Sequence, residues 1–224
     1  MLTPLSERVW VYDLRGVNAY LVDDDGALTL VDTGLRWQRG SLVDGLREAG
    51  FERRDLDRIL LTHYDVDHVG GLPAFDDVDL TVYAGATDAP YITGEKKATL
   101  SNHKGVIQRL GRPLCSAPDN PIVGLEDGDT VGSFTVYDTP GHTPGHVSYV
   151  SETLSTAMLG DVVVERGGQF HPSVWLLNYD TEAVARSVRT LVERAPPFDV
   201  AGIGHGTPFE HDGSDRLADV VERV

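Results

Sequence analysis

The chain has 224 residues, a formal net charge of −16 and a single cysteine, Cys115. A chain of this length can bury a sizeable core without a staple, and one cysteine excludes an internal disulfide. The acidity excludes nucleic acid as a general partner, because phosphate binding needs basic surface.

No apolar run approaches the roughly 20 residues that span a bilayer, so no membrane partner is expected. Residues 1–8 lack the basic and apolar regions of a signal peptide, and the reading is a cytoplasmic protein. Aspartate outnumbers glutamate 24 to 11, and there are three lysines. Such a surface resembles that of proteins from salt-loving cells, where dense carboxylates keep chains apart; a GC-rich genome is the plain alternative.

In chain order, residues 9–12, 19–22 and 28–31 read as three strands, with an Asp-Asp-Asp-Gly turn between the last two. Residues 40–50 carry Leu42, Val43, Leu46 and Ala49 at helical spacing, ended by Gly50. Residues 59–61 form a buried strand that delivers His63, and Gly70-Gly71 lets the chain turn. Another strand spans 80–84. Residues 86–120 break the rhythm and read as an inserted helical or loop segment. Strands resume at 134–137, 147–150 and 157–159, then an amphipathic helix at 181–194 and a last strand at 200–203. The whole of 1–224 reads as one domain, with each polar motif just after a strand, where a rigid sheet displays functional side chains.

Those motifs share one chemistry. They are Val31-Asp32-Thr33-Gly34, Thr62-His63-Tyr64-Asp65-Val66-Asp67-His68, Thr139-Pro140-Gly141-His142-Thr143-Pro144-Gly145-His146, Gly160-Asp161 and Gly204-His205-Gly206. Imidazoles and carboxylates are the ligands of zinc, iron and manganese. One histidine near a turn is ordinarily structural, but this conjunction points to metal.

This set resembles the metallo-β-lactamase-fold superfamily from about residue 8 to 210. The resemblance implies a four-layer αββα sandwich of two mixed sheets, with two divalent ions at one edge. By that pattern His63, Asp65 and His142 would hold the first ion. Asp67, His68 and His205 would hold the second, and Asp161 would bridge. Asp32 and His146 would support the ligands. The departure is Asp65, where most of the family has histidine; if it binds, a carboxylate there favours iron or manganese relative to zinc, and if so short a side chain falls short, the first site is weak or empty.

The implied activity is hydrolysis of an ester, thioester, lactone or phosphoester bond by a metal-bridging hydroxide, with Asp67 moving the proton. Non-haem iron redox chemistry and a non-catalytic, metal-stabilised domain are the alternatives. All three lysines, Lys96, Lys97 and Lys104, fall in one nine-residue stretch. If that stretch overhangs the metals, they and His171 would meet a small anionic substrate. The reading leaves room for a homodimer.

Overall fold

The computed structural model describes residues 2–223. Seven strands form the first sheet in chain order: β1 (Leu2–Pro4), β2 (Val9–Asp13), β3 (Asn18–Asp24), β4 (Ala27–Val31), β5 (Arg58–Leu61), β6 (Thr81–Gly85) and β7 (Ile122–Leu125). β1 to β4 are an antiparallel meander, and β4 to β7 pair in parallel. The second sheet comprises β8 (Thr130–Val131), β9 (Phe134–Asp138), β10 (Val147–Ser151), β11 (Thr156–Gly160) and β14 (Val200–Ile203), in the order β14-β11-β10-β9-β8. A separate hairpin, β12 (Val163–Arg166) with β13 (Gln169–Pro172), follows Asp161.

Three apolar clusters separate four layers. Strand alternation feeds them: on β3, Ala19 and Leu21 point one way while Tyr20 and Val22 point the other. The first cluster packs Leu21, Leu30, Ile59 and Leu61 under Leu42 and Leu46 of helix α1 (Arg39–Glu48). The middle cluster joins the sheets through Val22, Val31, Leu60, Val136, Val147 and Tyr149. The third packs Val150, Leu159 and Ile203 against Val184, Val188 and Leu191 of α5 (Thr181–Arg194) and Leu217 and Val220 of α6 (Gly213–Val221). This is the αββα sandwich expected from the sequence. Gly50, just past α1, has a φ of +87°, a conformation that glycine adopts freely.

Among the described residues, no helix is long and apolar enough to cross a membrane. Between β6 and β7 the chain runs through α3 (Ala89–Ile92) and α4 (His103–Gly111). α4 begins at Asn102, whose side-chain oxygen accepts from the Lys104 amide at 2.9 Å.

Polar bridges lock the sheets together at the edge where the motifs lie. The Tyr20 hydroxyl donates to the Ile203 carbonyl (2.7 Å) and accepts from the Ile203 amide (2.8 Å). The Tyr149 hydroxyl donates to the Leu61 carbonyl at 2.8 Å, and the Val147 amide to the Thr62 carbonyl at 2.9 Å. The strand ends that carry Asp32, His63, Asp161 and His205 are thereby fixed relative to one another.

Candidate metal centre

Seven side chains from four loops meet at this edge. β5 ends before His63 and Asp65, the short helix α2 (Val66–Val69) presents Asp67 and His68, the β9–β10 loop brings His142, β11 ends before Asp161, and β14 ends before His205. Two clusters have ligand atoms within 4.8 Å of one another: His63, His142 and Asp161; and Asp67, His68 and His205. Asp161 connects them. Its Oδ2 lies 3.3 Å from His142 Nε2 and 3.2 Å from His205 Nε2, while its Oδ1 lies 3.7 Å from His68 Nε2.

Each imidazole is held from behind by its Nδ1, which leaves Nε2 aimed inward. His68 Nδ1 donates to Asp32 Oδ2 at 2.8 Å, and His205 Nδ1 to the Gly16 carbonyl at 2.5 Å. His142 Nδ1 faces Asn178 Oδ1 at 3.1 Å, and the Asn178 amide is oriented by its own donation to the Ser173 carbonyl. His63 Nδ1 lies 3.0 Å from Thr62 Oγ1, which itself donates to Asp32. Asp32 also accepts from the Thr62 amide at 2.9 Å, so it fixes both the start of the loop and the His68 ring. His146 plays another part. Its Nε2 accepts from the Asp161 amide at 3.0 Å, which sets the backbone of that aspartate.

The donor set fits a divalent cation. Among the buried side-chain atoms, His63 Nε2, His68 Nε2 and Asp161 Oδ1 have no hydrogen-bond partner. Buried polar atoms are rarely left so, and a cation beside Asp161 would satisfy its Oδ1 together with the imidazole nitrogen of the group it occupies. Space is kept for it: a Cβ on Gly204 would stand 1.9 Å from Asp161 Oδ1 and 2.8 Å from His68 Cε1.

Burial lowers the His63 pKa to about 4, so the ring is neutral at neutral pH, and because Thr62 Oγ1 gives its own proton to Asp32, the one ring proton sits on Nδ1 and Nε2 is bare. Burial also works against protonated His68 and His205, but neighbouring carboxylates outweigh it. Asp32 and Asp161 push His68 up to about 9, and Asp161 and Asp67 push His205 up to about 11. These two rings stabilise the metal-free fold fully below their ordinary value of 6.5, and that stability is lost as pH rises through about 9 and then about 11. Chelated protein should therefore lose thermal stability from about pH 7 to pH 10, and metal-loaded protein should not, because a ligated nitrogen carries no proton. A melting temperature that falls equally with and without chelator over that range would refute this linkage.

A cavity of about 270 Å³ opens over the centre. Its floor carries Asp65, Asp67, Lys104, His142, Asp161 and His205, and its walls are Leu35, Val66, Ile107 and Leu177. Of the residues expected to bind substrate, only Lys104 reaches it. Lys96 and Lys97 are exposed outside it, and Lys97 lines a different cavity with Arg109 and Arg112. His171 sits half-buried on β13, paired in register with Val164.

Lys104 itself is buried. It forms a short ion pair with Asp65 and lies 3.1 Å from His142 Nε2. Burial would raise the Asp65 pKa, but the Lys104 ammonium, with the His142 and His63 imidazoles beside it, holds it well below the ordinary carboxylate range.

Sequence reasoning missed several supporting groups. Gln108 donates to Asp65 Oδ1 at 2.6 Å and to the Tyr64 carbonyl at 2.8 Å. Asp88 clamps the two histidine loops by accepting from the Tyr64 amide, Thr143 Oγ1 and the Gly145 amide. Ser173 and Asn178 orient His142.

Comparison with known proteins agrees with this geometry. The chain is 26% identical to the probable metallo-hydrolase YflN of Bacillus subtilis, over 92% of this chain and 85% of that one. It is 31% identical to human metallo-beta-lactamase domain-containing protein 1, over 87% of this chain and 64% of that one. Among solved structures, the metallo-beta-lactamase family protein TTHA1429 of Thermus thermophilus superposes with a TM-score of 0.73 at 25% identity, over 98% of this chain and 80% of that one. TTHA1623, solved in a di-iron-bound form, gives a TM-score of 0.68 at 27% identity, over 93% and 95%. The sequence profile of the metallo-beta-lactamase superfamily matches residues 12–205, so every motif from Asp32 to His205 falls inside it and the chain belongs to that superfamily.

Proposed function

We propose that the protein is a metal-dependent hydrolase of a small molecule with an ester, thioester, lactone or phosphoester bond. One observation carries this reading: inward-facing Nε2 atoms and carboxylates, fixed from behind, converge on the floor of a cavity with apolar walls. A divalent ion held there would polarise the bond to be broken and lower the pKa of a bound water. The mix of imidazoles and carboxylates suits zinc, iron or manganese, and the di-iron form of TTHA1623 supports iron.

The chain's own groups supply the rest. The Asp67 side chain is partly exposed, and its Oδ2 lies 3.3 Å from His205 Nε2. Burial would raise its pKa, but His205 and His68 hold it low, so it stays ionised. It can orient the attacking water and return the proton to the leaving group. The walls favour an apolar group on the substrate rather than the anionic one expected from the lysines. The segments that supply Ile107 and Leu177 also expose Leu110, Trp175 and Leu176, and such a surface invites an acyl chain.

The test is a panel of thioesters, esters, lactones and phosphodiesters given to metal-loaded protein. Turnover should stop with chelator and return with metal, and kcat/KM should rise with acyl length. Asp67→Asn should lower kcat by about 10²–10⁴-fold. Undiminished turnover in chelator, or in Asp67→Asn, would sink the proposal.

A further inference from the structure

The two halves of the centre are built differently. Around Asp67, His68 and His205, the ligand atoms face each other and Asp161, and among the described residues Asp67 and Asp161 form ion pairs with histidines alone. Around His63 and His142, the corresponding space is already served by a cation of the protein. Lys104 Nζ pairs with Asp65 Oδ2 and lies 3.1 Å from His142 Nε2. That nitrogen is the free one of its ring, because Nδ1 is held by Asn178 and Ser173. His63 Nε2 lies 3.3 Å from the same Asp65 oxygen, and His142 Nε2 lies 3.1 Å from it.

The arrangement occupies both Asp65 oxygens. Oδ1 accepts from Gln108 at 2.6 Å and Oδ2 from Lys104. Lys104 and Gln108 are one turn apart on α4, so one face of one helix takes up the whole carboxylate. Gln108 is anchored in turn by the Tyr179 hydroxyl, which donates to its Oε1 at 2.7 Å. A lysine only 3% exposed needs a partner, and the carboxylate at position 65 is that partner. The pair is neutral, so Asp65 adds no net attraction for a cation, while an ammonium beside His142 repels one.

We propose that the Lys104 ammonium takes the place of the first of two ions. The chain then holds a single divalent ion, on Asp67, His68, His205 and Asp161. Asp65 is the counter-ion of Lys104 rather than a metal ligand. Because Lys104 lines the cavity, it also offers the substrate's carbonyl or phosphoryl oxygen a fixed positive charge. This rests on the metallo-hydrolase reading and narrows it.

The experiment is equilibrium dialysis against excess zinc, and separately manganese, followed by elemental analysis per folded chain. The wild type should bind one ion. His205→Ala should lose it and His63→Ala should keep it. Lys104→Met frees Asp65, His63 and His142 and should raise the count to two. Two ions in the wild type, loss in His63→Ala with retention in His205→Ala, or one ion in folded Lys104→Met would each overturn the proposal. If Lys104→Met fails to fold by circular dichroism, the wild type and the two histidine variants still decide it. No ion in the wild type would bring down the metallo-hydrolase reading itself, a failure distinct from a count of two.

Discussion

Asp161→Asn should give a folded protein that no longer retains metal and no longer turns over substrate. Asp161 is the one residue whose oxygens face His68, His142 and His205 together. Burial would raise its pKa, yet His68, His142 and His205 hold it well below the ordinary range, so a full negative charge stands at the centre. Asparagine has the same shape and fits the space that Gly204 leaves, and the amide bond to His146 is made by the backbone. What is lost is charge and one acceptor oxygen. The affinity loss should exceed the ~10–100-fold typical of removing an outer-shell partner. Competition with a chromogenic chelator measures it, and far-UV circular dichroism checks the fold. Wild-type affinity in Asp161→Asn would exclude this carboxylate as a ligand.

The parts of this centre legible in the sequence are those tied to strand ends. His63, Asp161 and His205 each lie within two residues of the end of a strand, and Asp32 directly follows β4. Buried strands announce themselves by unbroken apolar runs, so the residues just beyond them can be placed at one edge. The unseen parts depend on contacts between distant segments. Lys104 meets Asp65 across 39 positions, and Asp88 reaches Gly145 across 57. No local period marks such partners.

The clustering of lysines suggests a single patch, but the helix divides it. Lys104 points to the centre, while Lys96 and Lys97 precede α4 and face solvent. β7 is not legible because an edge strand with Val123 and Gly124 exposed shows no alternation. α6 is not legible because Asp215 and Asp219 separate its buried apolar side chains, Leu217 and Val220, from any longer stripe.

Asp32→Asn should weaken metal binding without unfolding the protein, and it tests a group that holds a ligand ring from behind without itself facing the metal. Asp32 is 2% exposed and accepts from three donors: the Thr62 amide, Thr62 Oγ1 and His68 Nδ1. Its backbone is left-handed, with φ of +57°, a conformation that asparagine shares. Alanine would strand all three donors at about 1–3 kcal/mol each, which threatens the fold. Asparagine is subtler. Its oxygen can still serve the Thr62 amide, but its NH₂ then faces His68 Nδ1. A donor there draws the ring into the other tautomer, with the proton on Nε2, where metal would bind. Affinity should fall ~10–100-fold. The proton position is directly readable from ¹⁵N-coupled imidazole NMR of the chelated protein at a pH above about 9, where the His68 ring is neutral. Wild type should carry it on Nδ1 and Asp32→Asn on Nε2. An unchanged tautomer together with unchanged affinity would mean that the ring is held by packing alone.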